Sequence, residues 1–132
     1  MKSLMVRDSM STHVMTFAPN DSVVQTMATL LDKGISGAPV IDEDGSLIGI
    51  LSEVDLIQVV VRESYYDDPA GIVADFMQTQ VECVGSDMEI FSLAQQFTGD
   101  HRRRYPVLEN GQLVDQIPRR DVLRAAPDFF QA

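Results

Sequence analysis

The chain is 132 residues long, 45% apolar, with a net charge of −10 and a single cysteine. That length suits one compact domain, or two very small lobes sharing a core, and needs no covalent staples. The lone Cys83 excludes an intramolecular disulfide, no apolar run approaches the ~20 residues of a membrane span, and the acidic balance argues against nucleic acid. Charge arrives within Met1–Asp8, too early for a signal peptide, so a cytoplasmic protein is expected. The charge is uneven. Residues 1–100 carry four Lys or Arg against 16 Asp or Glu, whereas 101–132 carry six Arg against four. Arg102, Arg103 and Arg104, with Arg119, Arg120 and Arg124, read as a local anion trap.

In chain order, a short helical turn is expected near 4–10 and a strand near 13–17. Pro19-Asn20-Asp21-Ser22 turns the chain into a helix, with Ser22 and Gln25 as a capping box. Val23, Val24, Met27, Leu30 and Leu31 form its apolar stripe, and Gly34 ends it. Two apolar runs, 38–41 and 47–51, flank an acidic turn ending in Gly45, which predicts a hairpin. The second run leads into Ser52-Glu53-Val54-Asp55 and a helix to about Glu63. A hydroxyl and free amides at a helix start suit a phosphate. A carboxylate there can accept from two neighbouring hydroxyls, as in a ribose diol. Without a ligand, Ser52 is equally an ordinary N-cap and Asp55 an ordinary first-turn acid.

The order then repeats. A short polar linker, Ser64–Gly71, precedes a strand at about 81–84. Ser86 and Glu89 form a second capping box into a helix ending near Gly99. Strands at 103–108 and 113–117 pair around Glu109-Asn110-Gly111, and a last helix spans 118–125. Val6-Arg7-Asp8-Ser9-Met10 returns as Val73-Ala74-Asp75-Phe76-Met77, Pro39-Val40 as Pro106-Val107, and Gly45 and Asp55 as Gly111 and Asp121. These offsets agree to within one residue, so the chain holds two copies of one βαββα unit, 1–66 and 67–132. The expected fold is α/β (α+β), the copies packed with pseudo-two-fold symmetry around a shared core. In the helix after Ser52, Val54, Leu56, Ile57, Val59, Val60 and Val61 cover more than one face. That is either one broad buried face or a surplus face for a homodimer contact.

The tandem unit resembles a pair of cystathionine-β-synthase (CBS) domains, the Bateman module, over residues 4–125. The motifs that carry the resemblance are Val6–Met10, Ile35–Asp42 and Gly45–Leu56, repeated in order. The resemblance implies a non-catalytic regulatory module that binds an adenosyl ligand between its copies, dimerises, and signals to an unidentified regulated protein. AMP, ADP or ATP are the ligands it points to, with S-adenosylmethionine or NAD as alternatives; no cofactor is required. Ser52 and Asp55 match the family's phosphate-side hydroxyl and ribose-binding aspartate. Ser36, Gly37, Ala38 and Pro39 match the segment that lies against adenine, and Thr16 a position lining the same cleft. Arg103 and Arg104 match a basic pair that reaches phosphates in some members.

Copy two departs from the pattern. Where the first copy has Gly49 and Ser52, the second has Asp115 and Pro118, which offers no donor. Asp121 remains, with Arg119 and Arg120 beside it, so a second and weaker cleft is expected there. Gly45–Gly49 lacks the Lys-Ser/Thr of a phosphate-binding loop. His13 and His101 lack metal-ligand spacing, and Cys83, taken as lying on a strand, reads as packing. No nucleophile–base pair suggests an enzyme. Against sensing stands a plain dimerisation scaffold with vestigial clefts. The tail, with Phe129 and Phe130 beyond the last helix, either folds back or docks on a partner.

Overall fold

The computed structural model of the chain describes residues 4–10, 14–66, 71–100 and 102–130. His13, His101, the middle of the linker at 67–70 and the last two residues lie outside the described residues, as do the side chains of residues 63–66 and of Phe129. The fold is α+β, and the chain divides into two compact units, residues 15–81 and residues 1–14 with 82–132.

In the unit of residues 15–81, α1 spans Val23–Lys33. Ser22 Oγ accepts the Gln25 N–H at 3.4 Å, and Gly34 closes the helix at φ 65°, a left-handed conformation that costs glycine nothing. The inward face is Val23, Thr26 and Leu30; Val24 and Leu31, expected in the stripe, are exposed. They sit one residue beyond the buried positions, which rotates them about 100° off the core face. Strand β1, Gly37–Ile41, pairs antiparallel with β2, Leu47–Ser52, placing Gly37 opposite Ser52. The turn between them is held by Asp42 Oδ1, which accepts the N–H groups of Asp44 and Ser46, both at 2.9 Å. The strand expected at 13–17 shrinks to one parallel bridge between Phe17 and Val40, because the chain turns away at Ala18–Asp21. Helix α2 follows β2 without a loop, over Glu53–Tyr66. Phe17, Val23, Leu30, Ala38, Val40, Leu51, Leu56, Val59 and Val73 form the core.

In the other unit, β3 is only Val84–Gly85 and lies parallel to β4, Arg104–Glu109, which pairs antiparallel with β5, Gln112–Pro118. Cys83 is half-buried and precedes β3 instead of lying on a strand. Asn110 and Gly111 turn the β4–β5 hairpin with φ 52° and 79°, the two positive angles of a tight two-residue turn. Helix α3, Ile90–Asp100, starts four residues after Ser86. The buried Ser86 hydroxyl donates to Glu109 Oε1 at 3.1 Å, which ties the start of α3 to the β4–β5 hairpin. Helix α4 spans Arg119–Phe129 and includes Pro127, so Phe129 belongs to the helix and only Phe130, 73% exposed, follows among the described residues. The core gathers Val6, Val84, Ile90, Leu93, Phe97, Tyr105, Val107 and Ile117.

The compact units are not the sequence repeats. The 3-10 turn Val6–Ser9 opens repeat one, yet Val6 is fully buried among residues of repeat two. The turn Val73–Asp75 opens repeat two, yet Val73 is fully buried among residues of repeat one. Backbone bonds fix the exchange: Val6 N–H to the Met88 carbonyl at 2.8 Å, and Val73 N–H to the Asp21 carbonyl at 2.9 Å.

Candidate functional site

Strand β2 ends at Ser52 and α2 begins at once, so Asp55 stands in the first helical turn directly above the strand end. Asp55 Oδ2 accepts both the N–H of Ser52, at 2.8 Å, and its hydroxyl, at 2.9 Å. By itself this is a common local bond. Asp8, Asp21 and Asp75 likewise accept the N–H three residues upstream, at 2.9, 2.9 and 3.1 Å, and all three are exposed. Asp55 differs in being buried, 6% exposed, and in taking a third donor from far along the chain, Gln78 Nε2 on Oδ1 at 2.8 Å.

Gln78 is brought there by its backbone, which exchanges both N–H···O bonds with Ile50 at 2.9 Å. The approach needs Gly49. A Cβ on that residue would lie 2.7 Å from Met77 Sδ and 2.9 Å from the Gln78 carbonyl. A cavity of about 620 Å³ opens beside this contact. Helix α2 lines it with Val54, Asp55, Gln58, Val61 and Arg62; Asp75, the last residue of the second 3-10 turn, lines it with Phe76 and Gln78, which follow. The Arg62 guanidinium stands 5.4 Å from the centre of the Phe76 ring. The cavity therefore combines apolar walls, one aromatic ring, two carboxylates, two amides and a guanidinium, a mixed lining usual for small-molecule sites. It is walled by both sequence repeats and lies within one compact unit.

Of the residues singled out from the sequence, Asp55 lines this cavity and Ser52 orients it. Ser36 is half-buried, with its carbonyl accepting the Glu53 N–H at 3.0 Å, so it joins the helix start. Gly37 is buried on β1, while Ala38 and Pro39 are fully buried inside the unit; Thr16 is half-buried just before Phe17. None of these five lines the cavity. Gln78, Gln58, Arg62 and Phe76 were not picked out from the sequence. No local pattern marks Gln78 as a donor reaching back 23 positions.

The other unit places Arg103 and Arg104 where Ser36 and Gly37 stand in the first. Arg103 accepts the Arg119 N–H at its carbonyl, 2.9 Å, and Arg104 faces Pro118 across the strands. Arg103, Arg119 and Arg120 are exposed, and Arg104 is half-buried. Pro118 leaves α4 with no side-chain cap, and Asp121 pairs with Arg124 of its own helix. Among the described residues no group of three or more His, Cys, Asp or Glu is placed to hold a metal ion, and no helix is long and apolar enough to cross a membrane.

Residues 6–62 and 73–128 each match the family model for the CBS domain. The chain is 30% identical over 128 residues to the A-adding tRNA nucleotidyltransferase of Aquifex aeolicus, an alignment covering 97% of this chain and 15% of that enzyme. It is 28% identical to an uncharacterized protein of Methanopyrus kandleri, over 96% of this chain and 65% of that protein. The chain thus spans less than two thirds of either relative. Among solved structures, CBSX2 in complex with AMP superposes with a TM-score of 0.85 at 26% identity, covering 97% of this chain and 99% of that one. The CBS domain pair of protein MJ0100, in complex with 5'-methylthioadenosine and S-adenosyl-L-methionine, superposes at 0.82 with 19% identity over 97% and 99%, a likeness of fold alone.

Proposed function

Since the chain belongs to the CBS domain family, we propose that it is a non-catalytic regulatory module whose cavity at Asp55 binds an adenosyl ligand, AMP-like in size, and reports occupancy to a partner protein. The observation that carries this reading is the buried Asp55 carboxylate on the wall of a cavity of about 620 Å³. A carboxylate oriented by Ser52 is suited to a ribose diol, and Phe76 with the valines of α2 offers apolar surface to a base. AMP bound to the similar CBSX2 supports the ligand class. A ligand held by both sequence repeats stabilises the state it binds, which gives a partner a change to read.

The test is a thermal-shift panel of AMP, ADP, ATP, NAD and S-adenosylmethionine on the native chain and on Asp55→Ala. At a ligand concentration 100 times its Kd, linkage adds about 2.7 kcal/mol, a shift of several degrees for a chain this size. The native chain is expected to shift with at least one ligand and the variant with none. A flat panel on the native chain defeats the reading.

A second reading is a dimerisation scaffold with no ligand. It is favoured by α2, where Val54, Ile57, Val60 and Val61 are each more than half exposed while Leu56 and Val59 are buried. Such an apolar face suits a second copy of the chain. Val60→Glu then converts a dimer to a monomer in sedimentation. A dimer whose melting temperature no ligand moves favours the scaffold.

A further inference from the structure

We infer that the Gln78 side chain is a built-in competitor for the ligand, a latch that occupies Asp55 when the cavity is empty and must swing away for a diol to bind. The inference rests on the adenosyl site proposed above. A carboxylate has about four acceptor positions. Ser52 takes two on Oδ2 through its N–H and hydroxyl, and Gln78 takes one on Oδ1. One position remains, and a ribose diol donates twice. The Ser52 bonds are local and set by the helix start. The Gln78 bond spans 23 residues and is the one that can be given up.

The geometry suits a side chain that moves on a backbone that does not. The Gln78 main chain is clamped to Ile50 through both N–H···O bonds, and Gly49 admits it at a distance no other residue allows. Its side chain is exposed, so the amide can turn into solvent and keep its hydrogen bonds there. Asp55 cannot do the same, because it is buried. Displacement of the amide therefore loses one charge-assisted bond that the ligand's hydroxyls replace. Free of ligand, the bond keeps a buried carboxylate satisfied; with ligand, it is a cost subtracted from affinity.

Isothermal titration of AMP and of S-adenosylmethionine into the native chain, Gln78→Met and Gln78→Asn tests this. Methionine keeps the length and lacks the donor; asparagine keeps the amide and falls a methylene short. Both variants are expected to bind the better of the two probes about tenfold more tightly, equal to about 1.4 kcal/mol, while melting at lower temperature without ligand. Should Gln78→Met fail to fold, Gln78→Asn decides alone. Equal Kd values in native and variant chains leave the site standing and overturn the latch, and so does weaker binding, which makes Gln78 a ligand contact. Binding by the variants alone supports the latch in its strongest form. Binding by none of the three overturns both the latch and the site.

Discussion

Asp55 and Asp121 are the same residue of two copies, and their partners set them apart. Asp55 is buried and held by Ser52 and Gln78, whereas Asp121 is only half-buried and pairs with Arg124 one turn along its own helix. A guanidinium already in place satisfies a carboxylate without any ligand. Asp55→Asn, which keeps the volume and loses the charge, is therefore expected to remove more than half of any ligand-induced thermal shift, while Asp121→Asn leaves it unchanged. Measuring both variants in one panel separates site chemistry from a general effect of losing an acid. At this scale the sequence was a partial guide. Ser52 and Asp55 were legible because a cap and a first-turn acid are local patterns. Gln78, Arg62 and Phe76 were not, because they are assembled by a pairing between distant segments, Ile50 with Gln78. Ala38 and Pro39, matched by resemblance to the segment against adenine, are fully buried and do not line this cavity.

Helices and hairpins were the most legible elements, since their signals lie within a few residues of one another. Ser22 and Gly34 bound α1 as capping chemistry dictates. Ser22→Ala removes the acceptor for the Gln25 N–H and is expected to cost about 1 kcal/mol, read as a lower urea midpoint with an unchanged slope. The short strands were less legible. Phe17 makes a single bridge and β3 is two residues long, each set by pairing with a strand distant in sequence, to Val40 and to Val107. Ser86 was legible only in part, for a similar reason. Its spacing to Glu89 fits a capping box, and its hydroxyl donates to Glu109, 23 residues on, a contact that no local spacing marks.

The whole molecule is acidic, and its charge is not shared evenly. Residues 15–81, which hold the cavity, contain two Lys or Arg against 11 Asp or Glu. That field opposes polyanions and is screened by salt. AMP is expected to bind more tightly than ATP at low ionic strength, with the gap narrowing as salt is added; a preference for ATP that salt weakens overturns this expectation. Alkaline stability is set elsewhere. Tyr105 is fully buried beside Phe97, ring centres 4.7 Å apart, and donates to Asp100 Oδ2 at 2.8 Å. Burial first, then that bond, pushes its hydroxyl from 10.0 up to about 12. From about pH 10 to 12 the unfolded chain releases a proton that the folded chain keeps, so stability is full below 10 and falls as pH rises toward 12. Tyr105→Phe keeps the ring and is expected to lose less melting temperature over that interval than the native chain.

The two valines at the heads of the repeats, Val6 and Val73, carry a consequence for any attempt to take the chain apart. Each half surrenders its own keystone and borrows the other's. A break at the join would free two fragments, each missing a plug from its interior and each carrying a greasy end with nowhere of its own to go. Such halves are obliged to find one another again, or to trade ends with a stranger's.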